Sequence, residues 1–167
     1  MNARWFKVRI LCIEDQIQKR GHIIEALLEN GINEQDIDCD SNYQEALMQL
    51  HTDDYDIVLL DISLPIAISS YRKDTFNSFA GISVLREIKR KDIPVKVIII
   101  SGFKDFNRGG NRIKLEELVN EEIIPEFEKY FCGYIKYDST SIEWQKSLSN
   151  LLKDINQERK TDENTNC

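Results

Sequence analysis

The sequence predicts an α/β protein: one five-stranded parallel sheet, doubly wound, with five helices and two extended loops. Three observations carry that expectation. Strand-like and helix-like segments alternate along the 167 residues. The central strands are nearly continuous apolar runs, as strands covered on both faces are. Three of those runs stop on oxygen-bearing side chains: Val8 to Ile13 meets Glu14-Asp15, Ile57 to Leu60 ends on Asp61, and Val97 to Ile100 ends on Ser101. A buried strand that finishes in a carboxylate carries the charge to the sheet edge, and open α/β sheets bind ligands beyond the carboxyl ends of their strands.

The elements follow in order. Lys7 to Ile13 reads as the first strand. Gln16 to Glu29 sets Ile17, Ile24, Leu27 and Leu28 at helical spacing, and Asn30-Gly31 stops that helix. Ile37 to Cys39 is a short second strand. Ser41-Asn42 can cap a helix carrying Ala46, Leu47 and Leu50, and Glu45 is placed to complete a capping box with Asn42. Asp56 to Leu60 is the third strand, and Gly81 to Arg90 the third helix, with Ile82, Leu85 and Ile88 on one face. Pro94 introduces the fourth strand, Val95 to Ile100. A helix over Ile113 to Tyr130 should kink near Pro125, which lacks the N–H that a helix interior needs. Gly133 to Tyr137 is the fifth strand and Ser141 to Ile155 the fifth helix. Residues 1–155 thus read as one domain, and the polar residues 156–167 as a disordered tail. The segments Ile66 to Ala80 and Gly102 to Asn111 are long for an α/β unit and leave the sheet at the same end as the acids.

Composition narrows the function. The chain is 41% apolar and 31% charged, with a net charge of -7 spread along its length. Nucleic-acid binding rests on clustered Lys and Arg, so that class is not expected. No apolar run approaches the length of a membrane span, and the N-terminus lacks secretory features. Cys12, Cys39, Cys132 and Cys167 show no metal-ligand spacing, and Cys12 and Cys39 read as small buried residues in strands. A reducing, cytoplasmic setting is the expectation. His22 and His51 stand alone and read as helix-surface or flanking residues rather than metal ligands.

Three stretches, Ile10-Leu11-Cys12-Ile13-Glu14-Asp15, Tyr55-Asp56-Ile57-Val58-Leu59-Leu60-Asp61-Ile62-Ser63-Leu64-Pro65 and Ile98-Ile99-Ile100-Ser101, resemble a response-regulator receiver domain. The likeness spans roughly Lys7 to Ile155, and Asp61-Ile62-Ser63-Leu64-Pro65 is its most specific part. It implies a flavodoxin-like sheet of order 2-1-3-4-5. It also implies a stand-alone phosphoacceptor of a two-component or phosphorelay system, not a turnover enzyme. Asp61 would accept a phosphoryl group from a histidine kinase or a histidine phosphotransfer protein, with self-catalysed transfer and autodephosphorylation. Glu14, Asp15, Asp61 and the Ser63 backbone carbonyl would hold Mg2+, Glu14 through water. Ser101 would hydrogen-bond the phosphoryl group, and Tyr134 would act with Ser101 as the switch aromatic. Signalling would pass to a downstream protein or through a homodimer, without nucleic acid or membrane.

Physical chemistry supports those roles. Three neighbouring carboxylates repel, so the site should raise a pKa or recruit a cation. Mg2+ takes hard oxygen ligands and keeps several waters. Phosphoryl transfer depends mainly on positioning and charge stabilisation. Each residue also has a plainer reading alone: Glu14-Asp15 favouring a helix N-terminus, Asp61 and Ser101 in turns, Tyr134 as a packed strand aromatic.

Two features depart from the family pattern. Receivers carry a lysine on the fifth strand, three residues after the switch aromatic. Anchoring on Tyr134 puts Tyr137 in that slot; anchoring on Lys136 puts Gly133 in the aromatic slot, and a bulge could bring Lys136 to the phosphate. The long segment after Pro65 is either a docking lid or a silent insertion, and Arg108 to Arg112 reads as a hinge rather than a phosphate loop. The alternative function is a degenerate receiver that binds partners without phosphorylation. A phosphatase with an aspartyl-phosphate intermediate would want a carboxylate two residues after the nucleophile, and Ser63 stands there.

Overall fold

Side chains alternate across a strand with period two, so each strand of a covered sheet feeds two cores. The computed structural model describes residues 7–63, 80–102, 105–108 and 110–165. Its first three strands are β1 (Ile10–Ile13), β2 (Ile37–Asp40) and β3 (Ile57–Leu60), followed by β4 (Lys96–Ser101). Two short strands come next, β5 (Asp105–Arg108) and β6 (Asn111–Lys114), and then β7 (Phe131–Lys136). The sheet order is β2-β1-β3-β4-β7, all parallel, which is the expected 2-1-3-4-5 arrangement with β7 as its fifth strand.

Among the described residues, five helical units cover the sheet. Helix α1 (Ile17–Glu29) and α6 (Glu143–Thr165) lie on one face. Helices α2 (Tyr43–Thr52) and α3 (Ala80–Lys91) lie on the other, beside a composite of α4 (Leu115–Leu118), a π turn (Val119–Ile123) and α5 (Ile124–Phe127). The first face gathers Ile10, Cys12, Ile57, Leu59, Ile98, Ile100 and Ile135 against Ile23, Leu27, Trp144 and Leu148. The second gathers Leu11, Ile13, Val58, Leu60, Val97 and Ile99 against Leu50, Leu85, Leu118 and Phe127. Each such aliphatic side chain removed from water contributes about 1.5–3 kcal/mol. Helix α1 ends at Asn30-Gly31, where Gly31 takes φ 85°. The Asn42 side chain accepts from the Glu45 N–H at 3.0 Å, half of the expected capping box.

The structure revises three expectations. Within the connection after β4, β5 and β6 form an antiparallel hairpin, with Arg108 opposite Asn111 and Gly110 at φ 90°. Phe106 and Ile113 are buried in the second core, which anchors the hairpin; Arg108 and Asn111, in the segment expected to be a hinge, are paired strand residues, and the following helix starts at Leu115. The expected kink is the π turn immediately before Ile124-Pro125. The expected tail is instead helix to Thr165: Asn156 is buried, and Arg159 reaches Asp56 at 3.1 Å. The long segment after Pro65 lies outside the described residues up to Ala80, which opens α3.

The start of α3 presses on the tip of β3. A Cβ on Gly81 would stand 2.5 Å from the Ile62 Cα and 2.6 Å from the Asp61 carbonyl oxygen, so only glycine fits there. The Gly81 N–H donates to the Ile62 carbonyl at 3.0 Å. This contact fixes the backbone that presents Asp61.

Candidate functional site

The tips of β1, β3 and β4 bring the predicted residues together. One oxygen each from Glu14, Asp15 and Asp61 lie within 4.8 Å of one another. Glu14 and Asp61 are buried, Asp61 at 1% exposure, while Asp15 faces solvent. Ser101 closes the neighbouring tip at 1% exposure, and its carbonyl accepts the Tyr137 N–H at 2.9 Å. The Ser63 N–H donates to Asp61 Oδ1 at 2.9 Å. The Gln16 N–H donates to Glu14 Oε1 at 2.9 Å, so the start of α1 holds one side of that carboxylate.

The sequence reading missed the cation in this pocket. Lys19, on the first turn of α1, is only 2% exposed. Its Nζ lies 2.5 Å from Glu14 Oε2 and 2.8 Å from Asp61 Oδ2, and it donates to the Ile100 carbonyl at 2.9 Å. Asp61 and the Ile100 carbonyl accept hydrogen bonds from the ammonium, and Glu14 Oε2 meets it as an ion pair. The ring of Tyr137 closes over the ammonium at 5.7 Å, close enough for a cation–π contact. Tyr137 is held by Trp144, with ring centroids 5.1 Å apart, and by its hydroxyl at 2.6 Å from His22 Nδ1. A signal for Lys19 existed: with Ile23, Ala26 and Leu27 it forms the buried stripe of α1. A lysine on an apolar stripe needs a partner in the interior.

Lys136 does not take that place. On β7 it alternates with the residues facing α1, so it turns to the α4 side, 58% exposed, with its Nζ 3.7 Å from Glu116. A bulge does exist: Val97 pairs with Phe131 and Ile98 with Gly133, which leaves Cys132 as the extra residue. It lies upstream of Tyr134, so the spacing from Tyr134 to Tyr137 is regular strand, and Tyr137 occupies the slot three residues on. Tyr134 pairs with Ile99 and packs, half-buried, on the second core.

Electrostatics follow from burial. Burial pushes the Glu14 carboxyl up to about 7, with Lys19 offsetting part of that and Asp61 adding to it. Burial alone would lower the Lys19 pKa, but Asp61 and Glu14 outweigh it, and the ammonium is held in its charged form. Three acids and one lysine leave a formal charge of -2, and every oxygen of Glu14 and Asp61 already meets one group of the chain.

No family model matches the chain. A protein of Sinorhizobium fredii described as uncharacterized protein y4jR is 23% identical over 146 residues, covering 86% of this chain and 95% of that protein. The signal receiver domain of a Luxo repressor protein from Vibrio parahaemolyticus superposes with TM-score 0.63 at 19% identity, over 93% of this chain and 98% of that one. The response regulator TrrA from Thermotoga maritima, solved with Mg2+ and BeF, gives TM-score 0.57 at 24% identity, over 86% and 98%. A CheY-like receiver from Methanospirillum hungatei gives 0.60 at 15% identity, over 92% and 98%. The fold is therefore the response-regulator receiver fold.

Proposed function

We propose that this chain is a phosphoacceptor of a two-component or phosphorelay system, with Asp61 as the acceptor. The observation that carries the reading is the convergence of Glu14, Asp15 and Asp61 within 4.8 Å at the carboxyl edge of a receiver-fold sheet, with Ser101 beside them. In the proposed step an Asp61 carboxylate oxygen attacks the phosphorus of the donor. The new O–P bond forms as the donor's bond to phosphorus breaks, and the leaving group keeps that electron pair. With phosphohistidine as donor the leaving group is imidazole nitrogen, which then takes up a proton. The Ser63 N–H holds one carboxylate oxygen in place during attack. The Ser101 hydroxyl is a donor for the incoming phosphoryl oxygens, and Tyr134 is the aromatic set to respond on β7.

The donor set fits a divalent cation of the Mg2+ kind: all oxygen, formally -2 with Lys19 counted, and open to solvent at Asp15. Glu14, Asp15 and Asp61 would hold it, with the Ser63 carbonyl. Bound there, it would offset charge on the transferring phosphoryl group. The partners on this reading are a histidine kinase or phosphotransfer protein upstream and a protein target downstream. No helix among the described residues is long and apolar enough to cross a membrane.

Incubation with Mg2+ and acetyl phosphate, followed by intact mass measurement, tests the reading. One phosphate should add to the wild type and none to Asp61→Asn; equal labelling of both, or no labelling of the wild type, overturns it. One observation favours a second reading, a degenerate receiver that binds partners without phosphate: both Asp61 oxygens are already engaged by the chain and the residue is buried. Partner affinity unchanged by Mg2+ with beryllofluoride would select that reading.

A further inference from the structure

We infer that Lys19 is the cation that receives the phosphoryl group on Asp61, delivered from α1 in place of a lysine on the fifth strand. The inference rests on the phosphoacceptor reading and adds the residue that reading lacks. Among the described residues, Lys19 is the one cation in ion-pair contact with Asp61. Lys136 faces the other side of the sheet with Glu116, and the slot that points to the acids holds the uncharged Tyr137.

The chemistry follows from that placement. Unphosphorylated, Asp61 offers the ammonium one negative charge at 2.8 Å. As an acyl phosphate, Asp61 no longer carries its charge on the carboxyl group. About two negative charges then reside on the phosphoryl oxygens, the stronger acceptors. The ammonium can trade its Asp61 contact for a phosphoryl oxygen while keeping Glu14 and the Ile100 carbonyl. Tyr137 closes over it and blocks the alternative, a swing of the lysine out to water. Lys19 thus holds the nucleophile before transfer and the product after it.

A variant series on the full chain separates this role from scaffolding. Lys19→Met should slow labelling by acetyl phosphate about a hundredfold, the cost of losing one preorganised donor to a developing charge. The same variant should bind Mg2+ alone about tenfold more tightly, because a cation is gone from among the acids. Slower labelling with tighter metal binding is a pattern that a collapsed site would not give. Lys136→Met should label at the wild-type rate. Tyr137→Lys added to Lys19→Met returns an ammonium to the fifth-strand slot and should recover most of the lost rate.

Wild-type labelling by Lys19→Met overturns the inference, as does loss of both labelling and metal binding in a variant that melts cooperatively. Should Lys19→Met fail to fold, spectra of nitrogen-labelled lysine in the wild type decide the matter. The Lys19 resonance, assigned by its loss in Lys19→Arg, must shift on adding Mg2+ with beryllofluoride; an unmoved resonance overturns the assignment. A wild type that takes no phosphate fails differently: it removes the phosphoacceptor reading itself.

Discussion

At the scale of single residues, parity decides the chemistry. Glu14 and Asp61 continue the faces of Cys12 and Leu59, so both turn to the α1 side of the sheet. Lys136 and Tyr137 are neighbours on the chain, yet one meets α4 and the other the Lys19 ammonium. The sequence could place the acids because each ends an apolar run. It could not choose between Lys136 and Tyr137, since that choice depended on where a bulge falls, and Cys132 carries no mark of one. Lys19 was legible only as a mismatch on a buried stripe, without its partners. Gly81 offers a test at this scale. Gly81→Ala should destabilise the fold by about 1–3 kcal/mol in urea titrations, since its Cβ meets backbone at 2.5 Å. It should also weaken Mg2+ binding, because the Asp61 carbonyl is among the displaced atoms.

At the scale of elements, caps and turns explain where segments begin and end. The Asn42 side chain satisfies the Glu45 N–H at the start of α2, so Asn42→Ala should cost about 1 kcal/mol of unfolding free energy. Helix α3 ends at Asp92, which takes φ 49° while the Ile93 N–H returns to the Ile88 carbonyl at 3.0 Å. Hydrogen bonds from Lys129 and Tyr130 hold the Asp92 carboxyl below the usual aspartate range. A carboxyl depressed in the folded state adds stability above its unfolded pKa, and that stability is lost as pH falls through the folded value. Asp92→Asn keeps a side chain that tolerates this backbone. It should therefore melt below wild type at neutral pH, with the gap closing in acid below the usual aspartate pKa and shrinking with salt. The β5–β6 hairpin was visible in principle as alternation around Gly109-Gly110, but the long-connection reading hid it.

Across the whole molecule, the alternation of strand and helix was enough to read a layered parallel sheet, while its order, 2-1-3-4-5, was legible only through the receiver resemblance. The helical end of α6 was not readable from composition: residues 156–165 are polar, and tertiary contacts rather than apolar content hold them. Asn156 is buried, Arg159 meets Asp56, and Lys96 lies 3.6 Å from Glu158. Truncation after Ile155 should lower the melting temperature measured by circular dichroism, by about 2–4 °C for each kcal/mol lost in a chain of this size. An unchanged melting temperature would return that segment to the status of a passive tail.

A charge mounted on a helix travels with the helix. Lys19 has Ile17 two positions before it, an isoleucine 77% exposed on the solvent side of the same helix. One full turn of sliding, 5.4 Å, would carry the ammonium clear of both carboxylates, while small adjustments of the fifth strand would leave it seated. A contact on the outer side of that rod that moved it would thereby change the charge beside Asp61.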